Sequence, residues 1–116
     1  MRESNNVSVT IVIPVKNGGS YFSELCIQIK KQDFIGSVEV ICVDSGSTDG
    51  SKHVAKKNGF RVIEINPSDF GHGKTRNMGA SQGSGKYIVF LTHDAIPANS
   101  NWLTELIKPL ETDPMV

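Results

Sequence analysis

Two carboxylates, a histidine and two basic residues stand where this chain can do chemistry. Asp44 closes the apolar run "VEVICVD" at 38–44. A carboxylate at the end of a buried strand can accept hydrogen bonds from a ribose or from a base edge. The alternative is local, because "DSGSTDG" is rich in residues that form turns and cap helices. Asp94 follows "KYIVFLT" and His93, with Pro97 close behind. One carboxylate at such a rim can hold Mg²⁺ or Mn²⁺ together with substrate phosphates, because Mg²⁺ takes one or two carboxylates and completes its shell with phosphate and water. His93 suits the softer Mn²⁺. The alternative makes Asp94 a turn residue and His93 a solvated neighbour. Lys74 and Arg76 lie in the glycine-rich stretch "NPSDFGHGKTRNMGASQGSG" at 66–85. Their charges and the loop amides could hold a diphosphate. They could equally form a solvated basic loop.

The elements that must position these groups follow from hydrophobic pattern. "VSVTIVI" at 7–13 reads as a strand buried on both faces and ended by Pro14. Tyr21, Phe22, Leu25, Cys26 and Ile29 recur at helical spacing, which predicts a helix over 19–31. A second buried strand covers 38–44. Ser47 or Thr48 can cap a helix that runs to about Asn58 and stops at Gly59. "FRVIEI" at 60–65 alternates and reads as a third strand. A short helix over 73–82 is weakly signalled. The fourth strand is "KYIVFLT", whose apolar run reads as fully buried. Asn99 or Ser100 caps a last helix in which Trp102, Leu103, Leu106, Ile107 and Leu110 share a face, and Pro109 should kink or end it.

Strand and helix alternate four times, which predicts a three-layer α/β/α fold on a mainly parallel, Rossmann-like sheet. Residues 1–116 read as one domain. Ligands of such sheets bind outside the carboxyl ends of the strands, and the polar clusters "PVKNGG", "DSGSTDGS", "GHGKTRN" and "THDA" all fall there. A dinucleotide fingerprint is missing, since "PVKNGGSYF" has no G-x-G-x-x-G. The phosphate loop G-x-x-x-x-G-K-[ST] is missing too, although "GHGKT" mimics its tail.

Composition narrows the partners. Among the 116 residues Lys+Arg and Asp+Glu both number 12, so no net field draws in nucleic acid. Cys26 and Cys42, the only cysteines, lie in apolar runs and read as buried free thiols of a reducing compartment. No window approaches the roughly 18 apolar residues of a membrane span. The opening "MRESNNVSV" does not read as a secretory leader.

Taken in order and spacing, "VTIVIPVKNGG", "VICVDSGSTDGS", "GKTRNMGASQGSGKYIVFLTHDA" and Pro97 resemble the N-terminal half of family 2 inverting glycosyltransferases, which have the A-type glycosyltransferase fold. The likeness runs from about Val7 to Trp102. The variants "FGHGKTRN" and "FLTHDA" are most similar to bacterial rhamnosyltransferase-like members that build surface polysaccharides. The resemblance implies sugar transfer from a nucleotide-sugar donor to a glycan or lipid-linked acceptor, with a divalent metal. It implies nucleoside contacts at Pro14, Val15 and Asn17. It puts base recognition at Asp44, beside Ser45 where the family has a second Asp. Arg76 and Asn77 fall near the diphosphate and sugar. The metal motif D-x-D falls on Thr92, His93 and Asp94, so Asp94 is the implied metal ligand while Thr92 and His93 line the donor site.

Two departures bear on activity. Thr92 stands where the family has its first metal-motif carboxylate. No residue matches the general base, which the family takes from the second half of its domain. The chain is therefore expected to be the donor-binding half of a longer enzyme, inactive by itself. That enzyme is expected in the cytoplasm, with room for association with the inner membrane face through a region beyond Val116. The alternative function is a nucleotide-binding module without transfer activity. A flavodoxin-like binding domain is disfavoured, because it has no use for the 66–85 segment.

Overall fold

The structure is a computed structural model and describes residues 7–112. The stretch 1–6, most of the opening read above as no secretory leader, lies outside them. Four strands form one parallel sheet: β1 Val7–Val15, β2 Gly36–Asp44, β3 Arg61–Glu64 and β4 Tyr87–Phe90, in the spatial order β3-β2-β1-β4. The helices are α1 Gly19–Lys30, α2 Ser51–Lys57, α3 His72–Ser81 and α4 Trp102–Thr112, with a 3₁₀ turn at Pro67–Asp69. The expected α/β/α layering is observed.

Alternation along β1 sends side chains to opposite faces. Val9, Ile11, Ile13 and Val15 enter the larger core with Phe22, Leu25, Cys26 and Ile29 of α1, Ala55 of α2, and Leu103 and Ile107 of α4. Val12 enters the smaller core with Ile41 and Val43, against Met78 of α3. Both cysteines are buried and unbridged. Burial pushes the Cys26 thiol up to about 11 and raises that of Cys42 as well, so both stay protonated and unreactive.

Several local expectations are corrected. Pro14 does not end β1, which runs on to Val15. β1 pairs with β4 only through Val9–Val12, and the carbonyl of Val12 accepts from Leu91 on that side. The missing N–H of Pro14 therefore falls beyond the end of β4, where the ladder needs no donor. Neither Ser47 nor Thr48 caps α2. The helix begins at Ser51, with Gly50 at φ 90° before it. The end of α2 is as expected: Gly59, at φ 80°, donates to Lys56 and Phe60 donates to Ala55, a Schellman closure that brings Phe60 into the core.

β4 is not fully buried. Val89 is, but Ile88 is 37% and Phe90 43% exposed. Among the described residues β4 pairs only with β1, and α3 lies over β1 and β2 rather than over β4. Asn99 does serve the start of α4, its Oδ1 accepting from the Asn101 amide. Leu106 faces outward, 43% exposed, away from its expected partners Leu103 and Ile107. The helix also continues through Pro109 to Thr112.

α3 is held by what its residues lack. A methyl group on Gly79 would lie 2.5 Å from Cγ1 of Val12 and 3.2 Å from Cγ2 of Val43. Glycine thus lets the helix backbone press onto the sheet. Beyond α3, the amide of Gly85 donates to the buried hydroxyl of Thr10 at 2.8 Å, and that hydroxyl donates to Glu39 at 2.9 Å. The amide of Ser84 also donates to Glu39, and this bond first, with the Thr10 bond, holds the Glu39 carboxyl below its ordinary range. These bonds fix where β4 starts and hence where its far end delivers His93 and Asp94.

Candidate donor-binding site

The carboxyl ends of the four strands open on two neighbouring cavities. One, of about 310 Å³, is lined by Pro14, Val15 and Lys16 from the end of β1, by Phe70, His72 and Arg76 from α3 and its approach, and by Thr92, His93 and Asp94 after β4. The other, of about 450 Å³, is lined by Asp44, Gly46 and Ser47 after β2, by Lys52 of α2, and by the β3 end and the 3₁₀ turn from Glu64 to Asp69. A cavity of about 540 Å³ lies at the opposite edge of the sheet. Its polar groups are engaged within the fold: Arg61 donates to Gln82, Lys30 to the Asn58 carbonyl, and Glu39 accepts as described. The chemistry therefore collects at the carboxyl edge.

Asp44 uses one oxygen for the turn-forming reading of its position and leaves the other without a partner among the described residues. Its Oδ2 accepts from the amides of Gly46 and Ser47 at 3.3 and 3.1 Å, which is the turn-forming role. Its Oδ1 is buried and meets no hydrogen-bond partner among the described residues. The residue is 3% exposed. A buried acceptor without a donor is costly, on the order of 1–3 kcal/mol. A ligand N–H arriving in the adjoining cavity would supply one. Ser45 is buried, and both its amide and its hydroxyl turn to the Val15 carbonyl, at 3.1 and 3.5 Å. It ties β2 to β1 and lines neither cavity.

Asn17 is likewise occupied by the fold. It sits at φ 49°, its amide donates to Ser47 Oγ at 2.9 Å, and its Oδ1 accepts from the Thr48 amide at 2.7 Å. This explains why Ser47 and Thr48 do not cap α2: their groups join the loops after β1 and β2. Asp49 completes the joint. Its Oδ1 accepts from the hydroxyl and amide of Ser51, and its Oδ2 accepts from the amide of Gly19. The Ser51 hydroxyl bond above all, with the backbone amides, holds the Asp49 carboxyl below its ordinary value. Asn17 is thus placed as a positioning residue, at one remove from the cavities.

Asp94 is exposed at the cavity rim. Its Oδ1 accepts from the Thr92 hydroxyl at 2.9 Å, which fixes the orientation of the carboxylate. His93 packs towards the β1 loop, where a methyl group on Gly18 would lie 3.5 Å from its Cβ. Arg76 reaches the same cavity, its guanidinium 5.9 Å from the centroid of the Phe90 ring. Lys74 does not join it. Lys74 is exposed and borders a further space with Ile65, Asp69 and Met78, of which Ile65 and Asp69 also line the Asp44 cavity. Asn77 is exposed on α3 and lines neither cavity.

The donor set at Asp94 can be tested against a divalent ion. Among the described residues no three His, Cys, Asp or Glu side chains gather as a self-sufficient metal site. One carboxylate and one imidazole beside a basic side chain do fit a hard cation that arrives with phosphate oxygens and completes its shell with them.

The sequence reading missed Lys16, Phe70, Lys52 and the Glu64–Asp69 wall. His72 also lines the Asp94 cavity and stacks edge-on against Phe70 at 5.1 Å. The signal for Lys16 was present, because it stands in "PVKNGG" beside the motif residues Pro14 and Asn17.

Known proteins resemble this chain in sequence and in fold. The chain is 38% identical over 103 residues to an O-antigen chain rhamnosyltransferase of Salmonella anatum, a match covering 87% of this chain and 32% of that protein. It therefore spans about a third of the length of that relative. The fold superposes on a Pyrobaculum calidifontis mannosyltransferase, solved with GDP-mannose and Mn²⁺, with TM-score 0.82 and 24% identity, over 98% of this chain and 35% of that one. It also superposes on Mycobacterium tuberculosis glucosyl-3-phosphoglycerate synthase, solved with Mn²⁺, UDP and glucosyl-3-phosphoglycerate, with TM-score 0.70 and 25% identity, over 93% and 41% of the two chains. The family model described as glycosyl transferase family 2 matches residues 10–116, nearly the whole sequence, and the chain belongs to that family.

Proposed function

We propose that residues 1–116 form the donor-binding domain of an inverting glycosyltransferase that moves a hexosyl or deoxyhexosyl group from a nucleoside-diphosphate sugar to a glycan or lipid-linked acceptor. The observation that carries this reading is the buried, partnerless Oδ1 of Asp44, one cavity away from Arg76 and Asp94. The nucleoside occupies the Asp44 side and gives an N–H to that oxygen. The diphosphate extends into the neighbouring cavity, where Arg76 offers paired N–H donors to its oxygens. Asp94, oriented by Thr92, is the protein's ligand for a divalent cation, and His93 lines the site. Such a cation, when bound, neutralises charge on the departing diphosphate. The relatives' rhamnosyl, mannosyl and glucosyl donors support a hexose or deoxyhexose.

Inversion follows from a single displacement. The acceptor oxygen attacks the anomeric carbon opposite the diphosphate, that bond breaks, and the acceptor proton passes to a general base. Asp94 is the carboxylate of the Arg76 cavity and is assigned to the cation, so the base is assigned to another part of the protein. Among the described residues no helix is long and apolar enough to cross a membrane. We place the reaction in the cytoplasm, a compartment that suits the buried, unbridged thiols of Cys26 and Cys42.

A thermal-shift panel of nucleotide-sugars with UDP, dTDP and GDP carriers, with and without Mn²⁺, tests the proposal. At least one carrier should raise the unfolding midpoint, and more so with Mn²⁺. No shift with any carrier would contradict it.

A further inference from the structure

We infer that Lys16 is the side chain that joins the two cavities, and that it holds the diphosphate between the Asp44 end and the Asp94 end of the donor site. The inference rests on the donor-site reading and assigns it a residue.

Lys16 follows Pro14 and Val15 at the carboxyl end of β1, the strand that lies between β2 and β4. Its side chain lines the Asp94 cavity. Its ammonium nonetheless reaches across to β2, donating to the carbonyl of Ser45 at 3.3 Å. Ser45 is the residue after Asp44, and the next, Gly46, lines the other cavity. The charge therefore sits on the boundary between the two spaces. An ammonium has three donors, and the Ser45 carbonyl takes one of them.

Gly46 keeps that boundary free of a side chain. It holds φ 96°, and a methyl group on it would lie 2.9 Å from Cγ of Pro67 and 3.5 Å from the Lys16 nitrogen. A side chain at this position would fill the gap between Pro67 and Lys16. Glycine leaves that gap open, between the cavity of Asp44 and the amine at the rim of its neighbour.

Charge arithmetic points the same way. A nucleoside-diphosphate sugar carries two negative charges. Of the two basic residues expected to meet them, Lys74 lines neither cavity and borders a space next to the Asp69 wall of the Asp44 side. Arg76 alone only balances the charge of Asp94. Lys16 with Arg76 makes the protein's share of that cavity positive, which adds to the charge a divalent cation would bring to the diphosphate.

Calorimetry on the intact chain tests this with UDP, dTDP and GDP and their nucleosides, in Mn²⁺, for wild type, Lys16→Met and Lys16→Arg. The methionine variant should weaken binding of whichever diphosphate the wild type takes by roughly ten- to hundredfold. It should leave binding of the matching nucleoside unchanged, lower the unliganded unfolding midpoint only slightly through the lost bond to the Ser45 carbonyl, and make diphosphate binding less salt-dependent. Lys16→Arg should recover most of the loss. Wild-type diphosphate affinity in Lys16→Met, or equal loss of nucleoside and diphosphate, would overturn the inference while leaving the donor site standing. Failure of the wild type to bind any of the three diphosphates would instead overturn the donor-site reading, and Lys16 with it.

Discussion

Asp44 shows how one carboxylate divides its work. Oδ2 closes the turn after β2, Oδ1 is buried without a partner among the described residues, and the proposed nucleoside contact falls on that second oxygen. Asp44→Ala should weaken nucleoside and nucleoside-diphosphate binding alike, by roughly 1.5–3 kcal/mol as for a hydrogen bond to a charged group, with or without Mn²⁺. Calorimetry in metal and in chelator reads this. A loss confined to the metal-dependent part would place Asp44 on the cation instead. Asp49 makes a different prediction, for stability against pH. Its folded carboxyl titrates below the ordinary 3.8, so its bonds to Ser51 and Gly19 stabilise the fold above that value and are lost as pH falls through the depressed one. Asp49→Asn should therefore unfold more easily than wild type at neutral pH. The gap should narrow in acid below 3.8. Urea titrations across that range would show a constant gap if the charge were irrelevant. The positions of Asp44 and Asp94 were legible in the sequence because each ends a conspicuous apolar run. The structural use of Asn17 and Ser45 was not, because their partners lie 30 and 31 residues away across a loop-to-loop joint that spacing does not reveal.

At the scale of elements, helices with large apolar faces were the readable ones. α1 announced itself through Phe22, Leu25, Cys26 and Ile29, all buried. α3 gave a faint signal because its buried residues are Thr75 and Gly79, which pack by being small. The same fact makes α3 fragile. Gly79→Ala improves helix propensity, yet its methyl would collide with Val12 and Val43, side chains fixed in the smaller core. Overpacking of this kind costs about 1–3 kcal/mol, more than the ~1 kcal/mol gained from propensity. Denaturant unfolding should show a net loss of stability, and nucleotide binding should weaken too, because α3 carries Arg76. An unchanged midpoint would mean that the helix stands off the sheet further than described. β4 was misread for the opposite reason. Its apolar run looks buried in sequence, but sheet order makes it an edge among the described strands, and order depends on crossovers that no local pattern encodes.

For the molecule as a whole, the layered α/β/α architecture and the edge that bears the site were both foreseeable. Strand–helix alternation dictates a parallel sheet, and a parallel sheet presents ligands at its carboxyl end. What could not be foreseen was the division of that edge into two cavities. It places Arg76 with Asp94 and sends Lys74 elsewhere. The central claim is that one nucleoside diphosphate spans both cavities, with a cation at Asp94. Metal and nucleotide must then strengthen each other by the same factor, roughly 5- to 150-fold for coupling of ordinary size. The most direct test is calorimetric titration of the bound nucleoside diphosphate, in Mn²⁺ and in chelator, for wild type and Asp94→Asn. That substitution keeps the shape of the side chain and removes the charge a hard cation requires. The wild type should bind more tightly in Mn²⁺ than in chelator. Asp94→Asn should lose that enhancement and keep its chelator affinity, while His93→Gln keeps most of both. Equal Mn²⁺ enhancement in wild type and Asp94→Asn would contradict the account and return Asp94 to the role of a turn residue.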